Sequence, residues 1–387
     1  MSSITKLFLI VIRAFVTNSK IDPNLKSQFT IDVIEKLFII AKSHDVVQIV
    51  SDVLFKNDML PIGEEITKKY QKCQINALHR YMNIEREQQT IYKLFEDNAI
   101  EFIPLKGAVI RQYYPEPYMR TSCDIDILVH EEDLERAKNA LVSALNYKSS
   151  EKISFHDISL FSLGGIHLEL HYNLKEKRQN LDELLGKVWD YAVNTKEGKY
   201  FKLQSPEFYI FYHIAHMANH FLRGGCGIRT FIDLYFIEKH IEFDRKKLTL
   251  LLRESEIETF YNAALQCVAA WFEDAPSTEI VDLIEAFVLK GGVYGTRENR
   301  INIDQNKQGG KIKYFFSRVF IPYDNLKYKY PVLKKHKILL PLMWIVRLFS
   351  FASPQKRKRA QKDLLIQKGI SEDSEITAEK MLKLLEI

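Results

Sequence analysis

The sequence predicts an α+β protein, a small strand-and-helix core set between two helical regions. Three observations carry this. Short runs with an apolar residue at every second position cluster between Ile100 and Leu170. Helical spacings of three and four govern the residues before and after them. A content of 46% apolar and 27% charged residues over 387 positions is that of an ordinary globular chain, with room for two or three domains of roughly 100 to 200 residues each. Extended disorder and a fibrous class are excluded.

Residues 1–98 read as helices, with Ile31, Ile34, Leu37, Phe38 and Ala41 on one face and a break at Asp58 to Gly63. Ile100 to Leu105 then alternates as a short strand, and Gly107 opens a helix over Ala108 to Tyr113. After a loop rich in Pro and Tyr, Cys123 to Val129 alternates polar and apolar residues as a strand with one wet face. Glu131 to Leu145 has acids in its first turn and Leu134, Ala137, Leu141 and Leu145 on one face, so it is a helix. Ile153 to Ser162 and Ile166 to Leu170 read as strands joined at Gly164-Gly165. Helical spacing returns at Leu181 and persists to about Lys290, broken at Ser205-Pro206, Gly224 to Gly227 and Ala275-Pro276. The expected division is a helical region over 1–98, the core over 99–180, a helical domain over 181–310 and a basic segment over 311–387.

The formal charge of +5 averages unlike regions. Residues 311–369 carry 15 Lys and Arg against 2 acids, residues 1–310 carry 38 against 43, and the last 18 carry 2 against 5. The late segment includes an apolar run from Ile338 to Ala352 between Lys334-Lys335 and Lys356 to Arg359. That pattern suits an interfacial helix on anionic lipid, but it suits better a helix docked on the C-terminal domain with solvated lysines around it, since Arg347 interrupts the apolar face no more than in an ordinary amphipathic helix. Cys73, Cys123, Cys226 and Cys267 lack CxxC spacing, which argues against a disulfide framework or zinc knuckle and for a reducing compartment. No run reaches the roughly 20 apolar residues of a membrane span, and Arg13 interrupts the opening apolar run too early for a signal peptide. The expected location is cytoplasmic, with peripheral contact at the inner membrane face through residues 334–359 left open.

Asp124-Ile-Asp126 is the sharpest local feature. Residues two apart on a strand face the same side, so both carboxylates project together and need a cation between them. Mg²⁺ suits such a pair, because it binds a few carboxylates plus substrate phosphates. Leu105-Lys106-Gly107-Ala108 sets a glycine between a strand and a helix, where backbone N–H groups favour phosphate and Lys106 adds charge. Glu169, in His167-Leu-Glu-Leu-His171, offers a third carboxylate.

In this order the motifs resemble the polymerase-beta-like nucleotidyltransferase superfamily, and more closely its bacterial family of uncharacterised nucleotidyltransferases, often found with cell-surface polysaccharide genes. The resemblance rests on Leu105-Lys106-Gly107, Tyr114-Pro115, Arg120, Asp124 to Val129 and Glu169-Leu170-His171. It extends through His213 to His220, Arg229 to Leu234, the Gly-Val-Tyr-Gly loop, Tyr330-Pro331 and Leu340-Pro341, and so spans roughly residues 30–350. It implies a polymerase-beta-like core, a small mixed sheet with helices. It implies too that Asp124 and Asp126 hold Mg²⁺ and the phosphates of an NTP such as ATP, while Glu169 ligates a second metal or deprotonates an acceptor hydroxyl. Where the superfamily commonly has Gly-Ser, Ala108 follows Gly107 and supplies no hydroxyl.

The remaining candidates surround these. Arg120 faces phosphate or forms a surface ion pair, and Ser122 is a phosphate donor. His171 positions the acceptor or a carboxylate, or is structural. His213, His216 and His220 share one helical face without a supporting acid or Cys, which favours lining the cleft over zinc. Arg229 pairs with Asp233 four residues on, or reaches the acceptor. Arg297 and Arg300 face phosphate or belong to an exposed polar loop. The reading is a Mg²⁺-dependent nucleotidyltransferase with an open acceptor; the alternative is a non-catalytic nucleotide-binding or scaffold protein on the same fold, associated with surface-glycan machinery. No nucleic-acid module is present in the sequence, and specific nucleic acid is not expected as a partner.

Overall fold

A computed structural model of the chain describes residues 3–61, 63–176, 178–327, 330–349 and 354–387. Its centre is a five-stranded mixed sheet in the order β1 (Phe102–Pro104), β2 (Asp124–Val129), β5 (His167–His171), β4 (Asp157–Phe161) and β3 (Lys148–Ile153). β2 and β5 are parallel; the other neighbours are antiparallel. The parallel pair requires a crossover, and the helix α6 (Leu134–Leu145) with the β3–β4 hairpin supplies it.

Strand alternation divides the sheet into two faces. Ile125, Ile127, Leu168 and Leu170 point to one side, where they are buried with Ile84, Ile91 and Phe95 of the long helix α4 (Glu65–Asp97) and Ala137 and Leu141 of α6. Each such side chain contributes roughly 1.5–3 kcal/mol by leaving water. The other face carries Asp124, Asp126, Glu169 and His171 toward the helices that follow.

Those helices share one apolar core with the N-terminal ones. α1 (Ser3–Val16), α2 (Ile31–Ser43) and α3 (Val47–Lys56) pack with α8 (Pro206–Leu222), α9 (Ile228–His240), α10 (Arg245–Glu254), α11 (Glu258–Phe272) and α12 (Glu279–Leu289), and Leu105, Ile110 and Leu128 join from the sheet side. The one-turn helix α5 (Gly107–Ile110) follows β1, and α7 (Gln179–Leu185) precedes α8. Beyond α12 come α13 (Arg297–Gln308), α14 (Lys311–Val319), α15 (Tyr323–Leu326), α16 (Val332–Lys335), α17 (Leu340–Phe349), α18 (Pro354–Gly369) and α19 (Glu372–Leu385).

Three expectations are corrected. The strand expected from Ile153 to Ser162 is two, because Ser154 turns the chain: its hydroxyl accepts the N–H groups of His156 and Asp157, each at 3.2 Å, and β3 pairs back on β4. The helical reading from Leu181 onward fails over β6 (Ala192–Asn194) and β7 (Lys202–Gln204), a ribbon laid beside β1 by the Phe102 N–H to Tyr200 carbonyl bond of 3.0 Å. The Glu96 carboxylate fixes its turn by accepting the N–H groups of Lys199, Tyr200 and Phe201. The helix expected from Glu131 begins as a 3₁₀ turn, with α6 proper starting at Leu134 and ending at Asn146 in the left-handed conformation that caps helices.

In the basic segment, the Trp344 indole N–H donates to the Ile321 carbonyl at 2.8 Å and the ring meets Phe320 edge-on. Trp344 is therefore turned onto its own chain, whereas Ile338, Leu342 and Ile345 stay exposed. Residues 350–353 of the 334–359 stretch lie outside the described residues. No described helix is long and apolar enough to cross a membrane.

Candidate active site

The register of β2 and β5 builds the site. Asp124 lies opposite His167, Asp126 opposite Glu169 and Leu128 opposite His171, so the Asp-x-Asp pair and the His-Leu-Glu-Leu-His run face the same way on adjacent strands. Potential ligand atoms of Asp124, His167 and Glu169 all fall within 4.8 Å of one another, as do those of Asp126, Glu169 and His171. Glu169 belongs to both groups. Asp126 is buried, whereas Asp124 and Glu169 are half-buried and open the site on one side.

Lys106 reaches this face from the turn after β1. The Leu105 N–H donates to the Asp126 carbonyl at 3.0 Å, and Lys106 itself adopts φ of 48°, a conformation that side chains avoid. That strained backbone delivers the ammonium to Asp126 Oδ1 at 2.9 Å. His171 Nε2 stands 2.9 Å from the same oxygen and 3.5 Å from Glu169 Oε2. An ionised carboxylate can only accept, so His171 is the donor. Burial raises the Asp126 carboxyl, yet Lys106 and His171 outweigh it and hold the group well below the usual carboxylate range. Asp124 moves upward instead, through burial and then through the Asp126 charge. Burial lowers the His171 imidazole, and its bonds to Asp126 and Glu169 overcome that and leave it raised.

The expected phosphate turn has a different neighbourhood from a bare glycine loop. A Cβ at Gly107 would stand 3.5 Å from Arg120 Nη1, 3.7 Å from Ser122 Cβ and 3.8 Å from Arg111 Nη2. Arg111, which motif reading missed, donates from Nε to the Gly107 carbonyl at 2.9 Å and from Nη2 to Ser122 Oγ at 3.0 Å. Its place one helical turn beyond Gly107 was the available signal. The Ser122 hydroxyl is thus engaged by a guanidinium.

Arg120 does not form a surface pair. Its Nε donates to both Asp233 oxygens, at 2.7 and 3.0 Å, and the Tyr114 hydroxyl donates to Asp233 Oδ1 at 2.7 Å. Asp233 is 1% exposed. The expected Arg229–Asp233 pair is consequently absent: Arg229 Nη1 bonds Asp45 Oδ2 at 2.5 Å, and Asp45 also accepts from the Thr121 hydroxyl at 2.7 Å. A buried carboxylate takes the guanidinium that desolvation leaves no alternative to, and helical spacing does not decide the match. Arg297 is likewise paired, with Asp363 on α18.

His216 and His220 have the acid that spacing on α8 could not reveal. His216 Nδ1 bonds Glu176 Oε1 at 3.1 Å, Asn219 also donates to Glu176, and His216 Nε2 meets His220 Nε2 at 2.9 Å. With Nδ1–H given to the carboxylate, His216 accepts at Nε2 and His220 donates. Burial, reinforced by the Lys106 charge, pushes His216 well below its usual range, and burial with His216 lowers His220 to about 3. His213 instead meets the Thr230 carbonyl at 3.3 Å, apart from this chain. Glu176 sits in a Lys- and Asn-containing stretch after β5 that reads as solvated loop.

The donor set can hold a hard cation. Three carboxylates project from two adjacent strands, two of them are partly open, and their ligand atoms with those of His167 and His171 fall within 4.8 Å of one another in two groups.

A family model described as "Uncharacterised nucleotidyltransferase" matches residues 32–273, more than half of the chain, and takes in the sheet, the Lys106 turn and α8 to α11. No curated protein and no solved structure matches.

Proposed function

The chain belongs to the uncharacterised nucleotidyltransferases, and from that premise we propose that it transfers a nucleoside monophosphate from an NTP to an acceptor hydroxyl in a Mg²⁺-dependent reaction that releases pyrophosphate. The acceptor is left open among a sugar, a small molecule, a lipid-linked glycan precursor and a protein side chain. The observation that carries the reading is the placing of Asp124 and Asp126 on one strand beside Glu169 on its parallel neighbour, all on one face.

Asp124, Asp126 and Glu169 would hold the cation, which when bound neutralises charge on the phosphates during in-line displacement at the α-phosphate. The acceptor oxygen forms the new bond to phosphorus as the bond to pyrophosphate breaks, and a Glu169 oxygen not engaged by the cation takes the acceptor proton. His171 fixes Asp126 and Glu169 at once through its two contacts. Lys106 keeps a positive charge at the face where phosphates would approach. His216 and His220, tied to Glu176, line the cleft beside the carboxylates and bind substrate there. Replacing Asp124→Ala together with Asp126→Ala should abolish pyrophosphate release while circular dichroism stays that of the wild type; turnover retained in a folded double variant sinks the assignment.

One observation favours the second reading, a non-catalytic nucleotide-binding or scaffold protein: Asp126 already has two hydrogen-bonding partners, the Lys106 ammonium and the His171 imidazole. Calorimetry with each NTP, with and without Mg²⁺, separates the two, because a degenerate site gives no metal-dependent affinity. Contact of residues 334–359 with an anionic membrane face is a separate proposal, supported by exposed Ile338, Leu342 and Ile345 beside Lys334 and Lys335 and opposed by the inward Trp344.

A further inference from the structure

Beyond α12, outside the matched residues, the Gly291-Gly-Val-Tyr-Gly295 loop presents an aromatic ring that no packing accounts for. Tyr294 is 74% exposed, yet the backbone that carries it is held by hydrogen bonds and close backbone contacts. The Val293 N–H donates to the Ser43 carbonyl at 2.9 Å, and the Thr296 N–H donates to the Gly224 carbonyl at 3.1 Å. Gly295, at φ of 64°, lies so close to Gly224 that a Cβ there would overlap the Gly224 carbonyl oxygen, and a Cβ on Gly292 would stand 2.6 Å from the Ser43 oxygen. Two glycine-rich segments are thus pressed backbone to backbone, which fixes where Tyr294 projects.

That place is the rim of the candidate site. Gly224 and Gly225 close the end of α8, bonding back to Phe221 and His220, and the Tyr294 ring lies 6.3 Å from the His220 ring, centroid to centroid. Ser43, which anchors Val293, is two residues from Asp45, and Asp45 holds Thr121 just before β2. The loop is therefore strapped between the His216–His220 chain and the approach to Asp124.

We propose that Tyr294 is the stacking platform for the nucleobase of the NTP, with the His220 ring beside it. The inference rests on the nucleotidyltransferase reading and extends it to where the base sits. Bases stack on exposed aromatic faces with little dependence on sequence, whereas an acceptor hydroxyl has to reach Glu169 and Asp126 farther in. A rigid loop suits a platform, since no ordering is needed when the base arrives.

Calorimetry on the full chain with Mg²⁺ tests this, with ATP, GTP, CTP and UTP in turn and inorganic tripolyphosphate as the base-free probe. Tyr294→Ala should weaken the preferred NTP by roughly 5- to 150-fold, leave tripolyphosphate unchanged, and be rescued by Tyr294→Phe, which keeps the ring face. An NTP affinity unaltered in Tyr294→Ala overturns the platform and gives the ring to the acceptor. Tripolyphosphate binding as tightly as the best NTP overturns it too. If the wild type binds neither, the nucleotide reading of the carboxylate site falls and the platform with it.

Discussion

Asp233→Asn isolates the buried charge cluster that holds the approach to β2. Asp233 is 1% exposed and the Arg120 side chain 10%, and Arg120 Nε reaches both carboxylate oxygens within 3.0 Å. Burial raises the Asp233 carboxyl, but Arg120 outweighs it and holds the group below its usual range. Asparagine keeps the size and one acceptor for the Tyr114 hydroxyl, so the main loss is the counter-charge to a guanidinium that cannot reach water. Removing one partner of such a pair costs about 3–5 kcal/mol, a large share of a total stability of roughly 5–15 kcal/mol. Urea unfolding followed by circular dichroism should show that loss. Arg120→Met should cost a similar amount, and the double variant should fall short of the sum by about 2–3 kcal/mol, as contacting residues do. A loss below about 1 kcal/mol in Asp233→Asn, or strict additivity in the cycle, would refute the claim that this pair is a desolvated unit.

Three more outcomes follow from named residues. His44 is fully buried and accepts the Ile228 N–H at Nδ1, and burial lowers it from 6.5 to about 4. The unfolded chain binds this proton first, so stability should fall as pH drops from about 6.5 to about 4, by up to roughly 3 kcal/mol, and level off below; a His44→Asn variant with the same pH slope as the wild type would contradict this. Gly295→Ala should displace the Tyr294 loop and lower NTP affinity as Tyr294→Ala does, whereas Gly165→Ala, with a positive φ but nothing within 4 Å of its Cβ, should cost only about 1–2 kcal/mol in urea unfolding and leave binding alone. Deleting residues 334–359 should abolish flotation with anionic vesicles if those residues dock on a membrane; unchanged flotation rules that contact out.

The strands and helices that were legible in the sequence are those whose own residues pay out a pattern: β2 alternates cleanly, and α6 repeats its apolar face. β3, Lys-Ser-Ser-Glu-Lys-Ile, has almost no apolar alternation because it is an edge strand, and the turn before β4 is made by a serine hydroxyl without any Gly or Pro signal. β6 and β7 are three residues each and owe their place to β1 and to the Glu96 carboxylate, about 100 residues earlier in the chain. His167 could have been named beside Glu169 from spacing alone, whereas Glu176 could not.

By itself the sequence determined that Asp124 and Asp126 share a face, and that His167, Glu169 and His171 share another, since side chains two apart on a strand point alike whatever lies around them. Only the tertiary structure decided that the two faces are the same one, because the parallel register of β2 with β5 depends on burying Ile125, Ile127, Leu168 and Leu170 together under α4 and α6. It also decided which charges meet. Arg229 and Asp233 stand one helical turn apart, yet Asp233 takes Arg120 and Arg229 takes Asp45, because a charge deep in the core must be matched by whatever cation is buried with it, while neighbours on a helix can turn to water.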